Sequence, residues 1–116
     1  MSEQNYFPDS WVILKIKLGK GAYPFYRVLA GWSGGYLKGD SWRMNSGITR
    51  ITGDEDYLKF WGESGSCYVC HKDTYRLTMA TSGVYNQLKE IEQFKGQVTL
   101  MPEDTEWFEI RWADGI

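Results

Sequence analysis

The chain has 116 residues, 42% apolar and 16% aromatic, with a formal net charge of −2 and a sequence pI near 5.4. That is material for one domain, 1–116, whose core needs neither disulfides nor metal. The longest apolar run, Trp11–Leu14, is far too short to span a bilayer, and the opening MSEQNYFPDSW lacks both the basic and the apolar region of a signal peptide. The expectation is a soluble cytoplasmic protein without membrane contact, its two cysteines reduced.

Ser10–Leu18 alternates, with Val12, Leu14, Ile16 and Leu18 on one face and Ile13, Lys15 and Lys17 on the other. It reads as a half-buried strand. Gly19-Lys20-Gly21 reads as a turn, and Pro24–Trp32 as a second strand. Asp40–Thr52 reads as extended, with Gly47 marking a bulge. After the turn Gly53–Asp56, Tyr57–Gly62 and Ser66–His71 form a hairpin. Helical spacing appears at Val84, Leu88, Ile91 and Phe94, with Ser82 as N-cap and Gly96 at the stop. Val98–Pro102 is extended again, and Glu106–Trp112 returns to strand alternation. The fold class is α+β: about six strands in one curled antiparallel sheet, with one helix, about residues 82–95, packed on one face.

Charge is unevenly placed. Residues 10–53 carry +6 and residues 54–116 carry −6. The first half concentrates aromatic rings, cations and glycine in Tyr26–Arg50, where Trp32, Tyr36 and Trp42 stand among Gly31, Gly34, Gly35, Gly39 and Gly47 with Arg27, Lys38, Arg43 and Arg50. Rings that stack, guanidinium forks and permissive backbone are what a flat anionic ligand requires. The candidate ligand-binding residues are therefore Trp32, Ser33, Tyr36, Trp42, Arg43, Asn45, Ser46, Thr49 and Arg50. A base stacks on Trp32, Tyr36 or Trp42, and Arg43 and Arg50 meet phosphate. Asn45, Ser46 and Thr49 add hydrogen bonds. The low pI and acidic second half argue against a long nucleic acid.

Formal motifs reduce to packing. Cys67-Tyr-Val-Cys-His71 matches the haem-attachment pattern, but a strand puts the two thiols on opposite faces. The expectation is one cysteine buried and the other half exposed. One cysteine pair plus the single His71 gives zinc at most three ligands. Gly31-Trp-Ser33-Gly-Gly35 matches a nucleophile elbow, but no helix pattern follows. Acid clusters at Asp54–Asp56 and Glu103–Glu106 fall in turns. No catalytic residue, metal site or cofactor is predicted. An enzyme would have to draw on Ser33, Asp40, Cys70 and His71.

The run LAGWSGGYLKGDSWRMNSGITRI with the following FWGESGSCYVCHKD, about residues 25–73, resembles small uncharacterised accessory proteins of tailed bacteriophages. The resemblance implies expression in a bacterial host cytoplasm and a role in countering host defence. Two readings stand side by side. In one, a non-enzymatic protein sequesters a small nucleotide-like signalling ligand in the aromatic and arginine pocket. In the other, an inhibitor or adaptor blocks a host protein through exposed aromatics or the acidic Glu103–Glu109 segment around Trp107. Either function is compatible with a homo-oligomer joined through surplus aromatic surface.

Overall fold

The computed structural model describes residues 4–17, 23–33, 41–91 and 97–110. Within them the chain forms β1 (Asn5–Tyr6), β2 (Ser10–Ile16), β3 (Phe25–Trp32), β4 (Ser41–Met44), β5 (Ile48–Gly53), β6 (Tyr57–Gly62) and β7 (Cys67–His71). A 3₁₀ turn (Lys72–Thr74), α1 (Met79–Glu90), β8 (Val98–Leu100) and a second 3₁₀ turn (Trp107–Glu109) follow. The α+β class holds, but the single six-stranded sheet does not. There are two four-stranded sheets, ordered β1-β7-β6-β5 and β4-β3-β2-β8.

The layering explains the burial of β2. Trp11 and Ile13 face the first sheet together with Tyr26, Val28 and Ala30 of β3 and Leu58, Phe60, Tyr68 and Cys70 opposite. Val12, Leu14, Ile16 and Leu29 face the other way, where Val84, Tyr85 and Leu88 of α1 cover them. The strand expected to be half-buried is thus buried on both faces, because the second sheet is the middle layer.

Between β4 and β5 the chain leaves the second sheet for the first. Gly47 has φ +139°, a backbone state that side chains rarely tolerate, and the β5–β6 register shifts between Ile48 and Arg50. Asn45 anchors this crossing. Its Oδ1 accepts from the Val28 N–H at 2.9 Å and its own N–H donates to the Val28 carbonyl at 3.1 Å. β1, missed in the sequence, runs parallel to β7, pairing Asn5 with Cys67 and Tyr6 with Tyr68.

The helix begins earlier than the sequence pattern indicates. Thr78 is the N-cap: its Oγ1 accepts from the Thr81 N–H, and Thr81 Oγ1 accepts from the Thr78 N–H at 2.7 Å. This reciprocal box satisfies two otherwise orphaned donors. Ser82, expected as the cap, already donates its N–H to the Thr78 carbonyl at 2.8 Å. The helix ends at Glu90, and Ile91 is exposed. Gly31 lets the helix start approach β3, since a Cβ there would lie 3.1 Å from both Ser10 Oγ and Thr81 Cγ2.

Two further expectations are corrected. Both cysteines are buried, Cys67 as well as Cys70. Of the strand expected over Glu106–Trp112, the described part, Glu106–Ile110, does not form one. Trp107 turns into the core and Ile110 packs against it while Phe108 stays out, and the backbone winds into a 3₁₀ turn. The Gly19–Gly21 turn, Gly96 and Trp112 lie outside the described residues.

Replacing Asn45 by Ala leaves the buried Val28 N–H without its partner. The expected loss of stability is about 1–3 kcal/mol, read as a lower urea midpoint at unchanged m-value. An unchanged midpoint removes Asn45 from its anchoring role.

Candidate functional site

The structure brings together two of the sequence-predicted site residues. Trp32, at the end of β3, is half-buried, donates its indole N–H to the Phe7 carbonyl at 3.0 Å and meets Tyr6 edge-on at 6.3 Å. The Arg43 guanidinium lies over the same Tyr6 ring, 4.7 Å from its centroid.

The others diverge. Trp42 registers opposite Gly31 in the β3–β4 pair, beside Leu29 and Met44, and therefore stands on the helix side of the second sheet, 49% exposed. Arg50 pairs with Trp61 on the outward face of the first sheet and lies 4.3 Å from that ring's centroid. Arg43 and Arg50 thus work on different faces and do not form a common fork. Asn45 is buried at the crossing. Ser33 gives its N–H to Asp9 Oδ2 at 2.8 Å, Ser46 Oγ accepts from the Ser64 N–H at 3.3 Å, and Thr49 donates to the Trp61 carbonyl at 3.2 Å. Tyr36 lies outside the described residues, as does Asp40.

The remaining reactive candidates are engaged in structure. His71 Nδ1 accepts from the Asp73 N–H at 3.0 Å as cap of the 3₁₀ turn, and its ring meets Tyr57 edge-on. The Cys70 thiol is pushed well up by burial, which opposes the thiolate that nucleophilic chemistry needs.

A cavity of about 420 Å³ opens at another place, where the segment after β8 folds back over the end of the sandwich. Its floor is the buried Trp11 and Leu58 with Tyr75, its wall is Trp107, and its exposed rim carries Glu103, Asp104, Glu106 and Phe108, with Lys72 also lining it. Local chemistry builds it. Pro102 starts a tight turn, accepting from both the N–H and the hydroxyl of Thr105 at 3.2 and 2.6 Å, which leaves Glu103 and Asp104 exposed at its apex. Trp107 then packs against Tyr75, Trp11 and Phe60, with ring centroids 5.8, 6.0 and 6.1 Å away. The Tyr75 hydroxyl fixes the segment, donating to the Met101 carbonyl while accepting from the Ile13 N–H at 3.2 Å.

Three carboxylates against one ammonium give the rim a negative field over an aromatic floor. Such a site attracts a cation and repels phosphate. The acidic segment and Trp107 were legible in the sequence. Trp11, Leu58, Lys72 and Tyr75 were not, because they come from separate strands and turns whose proximity no spacing encodes.

No protein-family model, curated protein or solved structure matches the chain.

Burial pushes the Tyr75 phenol up to about 12, with the Glu103 charge adding to the effect, and burial likewise pushes Tyr68 up to about 12. Both phenols hold their protons in the folded state, whereas the unfolded chain releases them near the ordinary value of 10.0. Their contribution is whole below pH 10 and declines as pH rises from there towards 12. Denaturation midpoints across that range are expected to fall, and Tyr75→Phe to make the fall shallower. An identical slope in the variant places the Tyr75 phenol in an ordinary environment.

Proposed function

We propose that this chain is a non-enzymatic binding protein, an inhibitor or adaptor that docks on a basic segment of a partner protein through the cavity beneath Pro102–Phe108. One observation carries the reading: a cavity of about 420 Å³ with an aromatic floor and three carboxylates at its rim. An arginine or lysine side chain lays its aliphatic stem along Trp11 and Trp107 and brings its charge to Glu103 and Glu106. The exposed Phe108 adds an apolar contact at the edge. In line with the resemblance to bacteriophage accessory proteins, the partner is a host protein of the bacterial cytoplasm.

A second reading, sequestration of a small anionic nucleotide-like ligand, has in its favour the meeting of Trp32 and Arg43 on the Tyr6 ring. The two readings place opposite charges in the ligand and are separable by titration.

Binding of a labelled arginine-rich peptide is expected to weaken about tenfold or more in Glu103→Gln/Glu106→Gln, with most of its salt dependence lost. Both side chains are exposed, so folding is expected to be retained, and thermal melts check this. Equal affinity in the double variant sinks the cavity assignment. Stabilisation by a nucleotide that is lost in Arg43→Ala moves the function to the second reading.

A further inference from the structure

The geometry points to a second binding surface, the outward face of the first sheet, which takes a short single-stranded oligonucleotide. This goes beyond the cavity reading and does not rest on it. The register of β5, β6 and β7 sets the outward residues in rows. Arg50 and Trp61 form one row, which ends at the buried Cys67; Thr52, Lys59 and Val69 form the next, and Tyr57 and His71 the last. The inward partners, Ile51, Leu58, Phe60, Tyr68 and Cys70, are spent on the core. The helix packs on the other sheet, and within these rows Arg50, Thr52 and Tyr57 are exposed and Lys59, Trp61, Val69 and His71 half-buried.

Along β6 the outward positions read Tyr57, Lys59, Trp61: ring, cation, ring. Four residues of extended chain separate the rings by about 13 Å, with the ammonium midway. A single nucleotide cannot reach both rings and Lys59, whereas a strand of a few nucleotides can. Arg50 completes the platform. Its guanidinium lies 4.3 Å from the Trp61 centroid, and the Trp61 indole N–H is held by Thr52 Oγ1 at 3.3 Å. The outermost plane there is a cationic, delocalised group, on which a base stacks as it does on an aromatic ring.

Charge selects the occupant. The outward positions of these strands hold Arg50 and Lys59 and, among the described residues, no carboxylate. The acids near this face lie in the turns at its ends, Asp54–Asp56 before Tyr57, Glu63 after Gly62 and Asp73 after His71, with Asp54 close enough to Lys59 to feel its charge. Alternating stacking surfaces and cations along one strand are the chemistry of single-strand binding, which tracks a backbone and tolerates any base. The face is also small, so the net charge of −2 opposes it less than it opposes a long polyanion.

The test is fluorescence anisotropy of a fluorescein-labelled oligothymidylate on the full chain at low salt. Wild type is expected to bind, and Arg50→Ala and Lys59→Ala each to weaken binding about tenfold. Each is also expected to lower the log–log salt slope by about 0.7. Glu103→Gln is expected to retain wild-type affinity, which keeps the result independent of the cavity. Arg50 is exposed, so Arg50→Ala is expected to fold, and circular dichroism confirms that. The proposal is overturned by absence of wild-type binding, by equal affinity in both variants, by equal affinity for the duplex, or by competition from thymidine monophosphate at concentrations matched in nucleotide.

Discussion

The indole of Trp11 joins the layers of this fold. It is 1% exposed and lies in the middle sheet, yet its N–H donates to the carbonyl of His71, the last residue of the outer sheet's β7, at 2.7 Å. Its own carbonyl accepts from the Arg76 N–H at 3.1 Å, fixing the chain that leaves β7 for the helix. Its ring contacts Phe60, Tyr75 and Trp107, which belong to the first sheet, the connection and the C-terminal segment. One side chain therefore holds the two sheets, the crossover to the helix and the floor of the cavity in register. Truncating such a ring costs about 3–5 kcal/mol, a large share of the stability of a domain this size. The cavity has no architecture independent of that joint.

The segregation of charge along the chain resolves in space through aromatic rings. Arg27 lies over Phe25, Arg43 over Tyr6, Arg50 over Trp61 and Lys89 over Tyr85. These cations are held by ring faces, so they do not draw on the carboxylates of the Glu103–Glu106 turn. Within the cavity, only Lys72 faces those acids. High aromatic content thus does two things at once: it fills the core between the sheets, and it parks positive charge away from the acidic rim.

What the sequence discloses depends on whether a signal is local. Alternation in β3 and in the β6–β7 hairpin is local, and those strands stand close to where the pattern puts them. The helix was legible from Val84 and Leu88, but its start was decided by the reciprocal Thr78–Thr81 bonds, which apolar spacing does not report. The crossing at Asn45–Gly47 reads as extended chain with a bulge at Gly47, because the exchange of one sheet for the other is a tertiary event that local pattern does not report. β1 is two residues long and exists only because β7 offers it an edge. Glu106–Ile110 shows the reverse case, a strand-like period overridden when Trp107 finds a buried berth and Phe108 does not. The candidate site follows the same division. The richness of rings and cations in Tyr26–Arg50 is real, but strand parity sends Trp42 and Arg43 to opposite faces of one sheet. The cavity, by contrast, is assembled from pieces whose meeting is purely tertiary.

The double-sided burial of β2 has a consequence for biosynthesis. The strand leaves the ribosome before the elements that cover it, apolar on both faces. Phe60, Tyr68 and Cys70 shield one side, and Val84, Tyr85 and Leu88 shield the other. Its second edge is closed only when β8 arrives, pairing Leu100 with Leu14. Until then the nascent β2–β3 pair has apolar faces and an open edge, the condition in which chains associate wrongly. Productive folding thus depends on synthesis of the C-terminal half keeping ahead of encounters between unfinished chains.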